Sequence, residues 1–275
     1  VDAESGAVLW KKPHRVAPLT LAADRDRVYF YNGEKVVGLD RKSGAEIWTS
    51  QAVARKSSFP TGYGPTLVVA QDVVLLSVES RSMTALAAAD GKTLWTAPHH
   101  HGGHMSPDDM LVINGLVWSG AIAGGQDSGV FTGRDLHTGE VKSEFPPDVS
   151  PPWFHHRCYR SRATDKYFIA SRTGFEFIDL EAKHWDYNHW VRGGCLYGFM
   201  PANGLVYAPP HSCGCFLESK LFGFNALAAE GAESPKPAAE EPPRLQRGPA
   251  FASPVPHPSS FIPHPSEDWP TYRHD

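Results

Sequence analysis

The sequence has no uninterrupted apolar run approaching the roughly 18 residues that cross a membrane as a helix. It has no surplus of basic charge either: 26 Lys and Arg stand against 30 Asp and Glu among 275 residues. The first lack excludes a spanning helix in this stretch of chain. The second, with no basic stripe interleaved with aromatics, argues against a nucleic-acid partner. Helical periodicity is also missing, since no window repeats its apolar residues at three- and four-residue spacing. No Gly-x-Ser-x-Gly elbow is present. The Gly-rich stretch around Asp127 lacks the strand-then-helix context of a phosphate loop. Cysteine and methionine are scarce, four of each. Plentiful instead are Gly (25) and Pro (24), which favour many short strands joined by turns. Hydrophobic residues make up 41% and charged residues 20%, a balance that supports a sizeable core.

An internal repeat organises the chain. Asp2-Ala-Glu-Ser-Gly6-Ala-Val-Leu-Trp10 is echoed by Asp40-Arg-Lys-Ser-Gly44-Ala-Glu-Ile-Trp48. A third copy, Ala87-Ala-Ala-Asp-Gly91-Lys-Thr-Leu-Trp95, carries its Asp at position 90. The fourth starts at Asp135 and keeps Gly139, with Phe145 read in the aromatic place. The fifth starts at Asp179, has Lys183 for Gly, and ends on Trp185; a sixth is an echo at Asn225. The copies recur every roughly 40 to 50 residues, the period of a propeller blade. Local chemistry agrees. Val28–Asn32 and Lys35–Leu39 are rich in β-branched and aromatic residues and flank Asn32-Gly33, a strong hairpin signal. Asp40 to Gly44 makes a second turn, because Asp bonds its own backbone and Gly accepts a left-handed conformation. The predicted fold is all-β: four-stranded antiparallel blades stacked about an axis so that each sheet buries both faces. The repeated Trp10, Trp48 and Trp95, with Gly6, Gly44 and Gly91, read as structural docking residues that wedge between blades.

The Asp-x-x-x-Gly-x-x-x-Trp element resembles the tryptophan-docking motif of the PQQ-like (quinoprotein, BamB-like) propeller family, over residues 1–228 and best in the first three copies. The resemblance implies blades numbering about eight in a whole propeller. This chain supplies the tail of one blade and about five more, a partial propeller. The chain opens at Val1 with neither Met nor leader and closes in Asp268-Trp-Pro-Thr-Tyr-Arg-His274-Asp275, which is similar to the opening of a further PQQ-like segment. Both ends read as cuts through a longer protein. Residues 229–266, rich in Pro, Ala and Glu, read as a linker. The organisation expected is blades over 1–228, linker over 229–266, and a second start over 267–275.

Chemistry has few places to reside. Cys158, Cys195, Cys213 and Cys215 all fall in the last third before the linker, near His155, His156, His189 and His211. Three readings stand open. The cysteines form two disulfides. Alternatively, Cys158, Cys195, Cys213, Cys215 and His211 supply a Zn or Cu site or a redox centre. Or they are buried as small hydrophobes. The Cys-x-Cys spacing of 213 and 215 departs from the usual zinc Cys-x₂-Cys. The run Pro98-His-His-His-Gly-Gly-His104 is read as a polar loop, with metal binding as its alternative. Arg157, Arg160, Arg162 and Arg172 form a positive cluster, read as pairing internally with Asp165, Glu176 and Asp179, or else as a seat for a carboxylate-rich ligand.

The family resemblance implies two functions of different class. One is a non-catalytic binding or scaffold module that takes a protein or small molecule at the propeller face, without cofactor, in a periplasmic or otherwise extracytoplasmic bacterial setting. The other is a dehydrogenase using PQQ with Ca²⁺. No base and no Ca²⁺ ligand can be assigned by motif for the second, and no adjacent Cys pair is present. The first is the expectation carried forward.

Overall fold

The computed structural model describes residues 1–2, 4–53, 65–78, 82–100, 108–121, 128–150, 159–172, 174–210 and 221–231. The chain divides into two compact units, Val1–Ala229 and Glu230–Asp275; in the second unit only Glu230 and Gly231 are described. Among the described residues there are strands and turns and no helix.

Among the described residues nineteen strands form five antiparallel sheets in chain order. The first holds β1 (Ala22–Ala23), β2 (Arg27–Tyr31), β3 (Val36–Asp40) and β4 (Glu46–Thr49). The second holds β5 (Thr66–Ala70), β6 (Val73–Ser77), β7 (Ser82–Ala87) and β8 (Thr93–Pro98). The third holds β9 (Leu111–Ile113), β10 (Leu116–Gly120), β11 (Phe131–Asp135) and β12 (Val141–Phe145). The fourth holds β13 (Arg162–Ala163), β14 (Tyr167–Ala170), β15 (Phe175–Asp179) and β16 (His184–Asn188). The fifth has three strands, β17 (Met200–Ala202), β18 (Leu205–Ala208) and β19 (Asn225–Ala228). Each sheet is a meander, and neighbouring sheets meet through their first strands, β1 against β5, β9 against β13 and β13 against β17. The first strand of every sheet is therefore innermost. These are the blades of a partial β-propeller.

The core consists of layers between blades. Along β6 every residue is buried, and successive side chains serve opposite layers, as the two-residue period of a strand requires. Val74 and Leu76 join Tyr29, Tyr31 and Trp48 of the first blade, whereas Val73 and Leu75 join Met110, Val117 and Leu136 of the third. The layer between blades three and four is aromatic: Phe131 meets Phe168 and Trp185 edge-on at 4.8 and 5.5 Å between centroids. Tyr159, Phe175, Phe199 and Val206 fill the layer between blades four and five.

The turns between third and fourth strands follow from the repeat. Asp40 Oδ1 accepts from the amides of Lys42 and Ser43 and from the Ser43 hydroxyl, and Gly44 closes the turn at φ +69°. Asp2, Asp135 and Asp179 make the same two-amide clasp. In the third copy Ala87 stands where the clasping Asp stands in the others, and Asp90 instead bonds the Lys92 amide and pairs with the Lys92 ammonium at 2.7 Å.

Three docking seats share one geometry. The indole N–H of Trp10 donates to the Arg41 carbonyl at 2.8 Å, that of Trp48 to Ala88 at 3.0 Å, and that of Trp95 to Leu136 at 3.0 Å. Each ring also lies on the glycine of the following copy, Gly44, Gly91 and Gly139 respectively. Burying one such ring contributes on the order of 2–3 kcal/mol.

Register alters the reading of the later copies. Gly38 pairs with Trp48 and Ala85 with Trp95, but the equivalent Gly133 pairs with Ser143. The docking place of the fourth copy is thus Ser143, and Phe145 lies two residues on, opposite Phe131. Trp185 pairs with Ile178 and points into the layer shared with Phe131, behind its own blade rather than ahead of it. The outer pair of the first three sheets carries a bulge, while the fourth pairs without a shift. Trp185 stands six residues after Asp179, opposite Ile178, the place that Glu46 takes opposite Leu39 and Thr93 opposite Leu86, two residues short of the docking place. In the sixth copy, Ala228 opposes Leu205 as Asp40 opposes Arg27, so the repeat is anchored at Ala228 and not at Asn225.

Candidate functional site: the loop-bearing end of the propeller

A four-stranded meander sends its connections alternately to two ends. One end of this propeller holds only tight turns. These are 24–26, 71–72, 114–115, 164–166 and 203–204 between first and second strands, and the Asp-anchored turns between third and fourth. Among the described strands, those separated by longer stretches of sequence have the joined ends at the opposite end. The segments 50–65, 99–110, 146–161 and 189–199 lead from one blade into the innermost strand of the next, and 121–130 and 209–224 join second and third strands.

Buried polar side chains gather where the innermost strands start at this end. Ser77 Oγ donates to Asp108 Oδ2 at 2.7 Å, joining blade two to the approach to blade three. His99 Nε2 donates to the Asp109 carbonyl at 2.8 Å and closes the base of that connection. Asp109 Oδ2 accepts from the Ser161 amide at 3.0 Å, which carries the network to blade four. Arg160 then reaches back past blade three to Thr66 Oγ1 of β5 at 3.2 Å. Burial pushes the Arg160 guanidinium below its ordinary pKa, the Asp109 carboxylate pulls it back up, and neighbouring Arg162 pushes it down again. Three consecutive blades thus meet in one node of Thr66, Asp109, Arg160 and Ser161.

A second node lies deeper in blade four. Tyr159 Oη bonds Ser171 Oγ and accepts from the Gly193 amide at 3.0 Å. Glu176 accepts from the backbone amide of Arg172 at 2.6 Å and from Gly174 at 3.4 Å. Gly174 has no room for a side chain, because a Cβ there would stand 1.9 Å from the Asn188 carbonyl oxygen. Arg172 and Arg192 are both buried. Arg162 bonds the carbonyls of Arg160 and Ser161. Of the carboxylates expected to pair with the arginines, Asp179 is held by Lys166 at 3.2 Å, and Asp165 offers its backbone carbonyl to Asn114.

Of the cysteine and histidine candidates, Cys195 lies among the described residues. It is half-buried at the start of a tight hairpin in which Gly194 and Gly198 exchange both backbone bonds, with Leu196 and Gly198 at positive φ. Cys158, Cys213, Cys215 and His211 lie outside the described residues, as do His155, His156, Arg157, Asp127 and His101 to His104. Among the described residues no group of three or more His, Cys, Asp or Glu gathers closely enough to hold a metal ion. The Thr66–Asp109–Arg160 node escapes sequence reasoning, since its members are 43 or more residues apart or polar in unremarkable contexts; their shared place just before inner strands is the one signal.

Residues 1–146 match the family described as outer membrane protein assembly factor BamB. No curated protein matches. Among solved structures the chain is similar to BamB from Moraxella catarrhalis, at 15% identity and TM-score 0.47, covering 68% of this chain and 53% of that one. The quinohemoprotein alcohol dehydrogenase from Comamonas testosteroni gives 14% identity and TM-score 0.48, over 71% of this chain and 40% of that one. The computationally designed Ika8 protein gives 12% and 0.47, over 70% and 55%. The chain spans about half the length of the first of these structures. With three docking seats built alike and the family match running over more than half its length, this chain belongs to the PQQ-like, BamB-type family of β-propeller repeat proteins.

Proposed function

We propose that this chain is a non-catalytic binding or scaffold module of an extracytoplasmic bacterial protein, and that it seats a protein segment or small molecule on its loop-bearing end. The observation that carries the reading is the division of labour between the two ends. Among the described strands, tight turns close one end, while the strand ends separated by more than five residues of sequence lie at the other. Binding residues concentrate on loops held by a rigid scaffold, and the node of Thr66, Asp109, Arg160 and Ser161 ties three blades into such a scaffold. The family description, an assembly factor, supports a role in holding partners. The membrane enters through this description alone, and fold does not by itself assign function.

Paired native and denatured intact masses test the proposal, together with a dye-linked alcohol oxidation assay after addition of PQQ and Ca²⁺. Equal masses and no oxidation are expected. Native mass raised by one quinone and one calcium, with turnover, would establish the dehydrogenase instead. Added zinc or copper with four free thiols would establish the Cys/His centre.

A further inference from the structure

The inner strands begin at the loop-bearing end, and one side chain crosses between them. Arg160, on the approach to β13, donates from Nη2 to Thr66 Oγ1 at 3.2 Å, at the start of β5. Blade three lies between the two and brings Asp109 to the same place, where its carboxylate accepts from the Ser161 amide at 3.0 Å. Arg162 stands beside them. It bonds the carbonyls of Arg160 and Ser161, and a Cβ on Gly198, on the approach to blade five, would stand 3.7 Å from its guanidinium.

The bonding of Arg160 is incomplete. A guanidinium presents a planar fork of N–H donors that matches a carboxylate with two parallel bonds. Among the described residues Arg160 gives this fork to Thr66 alone, and no carboxylate lies within ion-pair distance of it. Asp109 attracts its charge but gives Oδ2 to Ser161. Asp108 is turned to Ser77, and Glu176 serves the amides of Arg172 and Gly174. The charges acting on Arg160 are therefore one carboxylate, Asp109, and one further guanidinium, Arg162.

Two positive charges against one negative leave an excess of one. Burial penalises the Arg160 charge, and a desolvated cation without a close counter-ion is costly. Yet Arg160, Arg162 and Asp109 are half-buried and not sealed from solvent. The Thr66 hydroxyl, which accepts from Arg160, keeps a hydrogen of its own to give to a second oxygen.

We infer that Arg160 and Thr66 form a seat for a single carboxylate group where the inner strands of blades two, three and four begin. The excess of one positive charge matches a monoanion, whereas a phosphate dianion would bring its second charge against Asp109. The inference rests on the reading of this end as the binding face, and it specifies what that face takes: a carboxylate, carried by an acidic side chain of a protein segment or by a small free acid.

NMR of the Arg160 side-chain Nε–H group in the full chain tests this, with the resonance assigned by its loss in Arg160→Gln. The probes are sodium acetate and the peptide acetyl-Gly-Glu-Gly-amide. Acetamide and acetyl-Gly-Gln-Gly-amide carry the same shapes without the charge. A saturable shift with the charged probes and none with the neutral ones is expected. Affinity, read on the Ser161 amide that every variant retains, is expected to fall about tenfold or more in Arg160→Gln. It is expected to rise about fivefold in Asp109→Asn, which keeps an oxygen for the Ser161 amide and removes the competing carboxylate. A gain of affinity does not arise from misfolding, so the test stands even where Arg160→Gln folds poorly. Tighter binding of the Glu peptide than of acetate supports a protein segment as the source, and equal binding supports a small free acid. An Arg160 resonance unmoved by either charged probe overturns the inference. So do equal shifts with the neutral probes, or an Asp109→Asn variant that binds no tighter. Failure of the broader reading looks different: shifts confined to other loop residues sink the seat alone, whereas added quinone mass with turnover replaces the binding module itself.

Discussion

The indole of Trp95 lies flat on Gly139: a Cβ on that glycine would stand 2.7 Å from the ring, and the ring N–H reaches the neighbouring Leu136 carbonyl at 3.0 Å. Trp48 on Gly91 and Trp10 on Gly44 repeat the contact at 2.4 and 2.6 Å. At the next seat both partners change together. Ser143 stands in the docking place, and Lys183 replaces the glycine at φ +56°. The left-handed turn survives without glycine. What the ring demands is the missing Cβ, and without the ring the demand lapses.

Substituting Gly139 by Ala is therefore expected to cost more than the conformational penalty alone. Gly115 has φ +78° and nothing within 4 Å of its missing Cβ, so Gly115→Ala measures that penalty, about 1–2 kcal/mol. Gly139→Ala adds displacement of the Trp95 ring, roughly 1–3 kcal/mol more. Urea unfolding midpoints of the two variants check the difference; equal losses would mean that the ring yields freely.

Trp95 and Gly139 are expected to be energetically coupled. Trp95→Ser alone opens a cavity costing about 3–5 kcal/mol, and Gly139→Lys alone forces the ring from its seat. The double variant reproduces the Ser143–Lys183 arrangement and is expected to fall short of the sum by about 1–3 kcal/mol. A double-mutant cycle in urea gives the coupling, and strict additivity would refute it.

The Asp-anchored turns predict acid sensitivity. Hydrogen bonds from the Ser43 hydroxyl and amide hold the Asp40 carboxyl below its ordinary value, as those from Ser5 do for Asp2. A carboxyl depressed in the folded state contributes stability above its unfolded pKa and loses it as pH falls through the folded pKa. The loss from this turn is thus expected below the ordinary Asp range. Ser43→Ala removes the leading cause, so carboxyl ¹³C titration of Asp40 is expected to shift upward.

His184 gives the opposite sign. A hydrogen bond to Asp148 at 2.5 Å raises its pKa against the opposing effect of burial, with attraction to Asp148 and Asp186 adding to the rise. A histidine raised in the folded state stabilises below its unfolded pKa, and the gain disappears as pH rises through the folded value. Proton NMR titration of the His184 ring is expected to show an upward shift that falls in Asp148→Asn. An unchanged midpoint in that variant would show that the pair does not persist in solution.

Much of the fold is legible in the sequence because it rests on local chemistry. The Asp-to-Gly turns and the Asn-Gly hairpins need only neighbours in sequence, and the docking tryptophans recur at a fixed offset from them. The later copies are harder. Phe145 is the nearest ring to the aromatic place, yet Ser143 takes that place because strand register counts residues from the bulge rather than by type. Trp185 faces backward because it stands six residues after Asp179, where Glu46 stands after Asp40, and the docking place lies two residues further on. Asn225 resembles the repeat in composition, yet pairing with Leu205 anchors the copy at Ala228.

The sequence by itself determined the all-β class, the blade period and the recurring tryptophans and glycines, because each is written in a short local motif; that each ring lies on the glycine of the following copy was decided by the stacking of blades. Tertiary structure decided the rest. It set which end carries the long connections, and it brought Arg160 to Thr66 across 94 residues. Those outcomes depend on how one blade stacks on another, and stacking is a sum of many weak contacts between distant segments that no local pattern encodes.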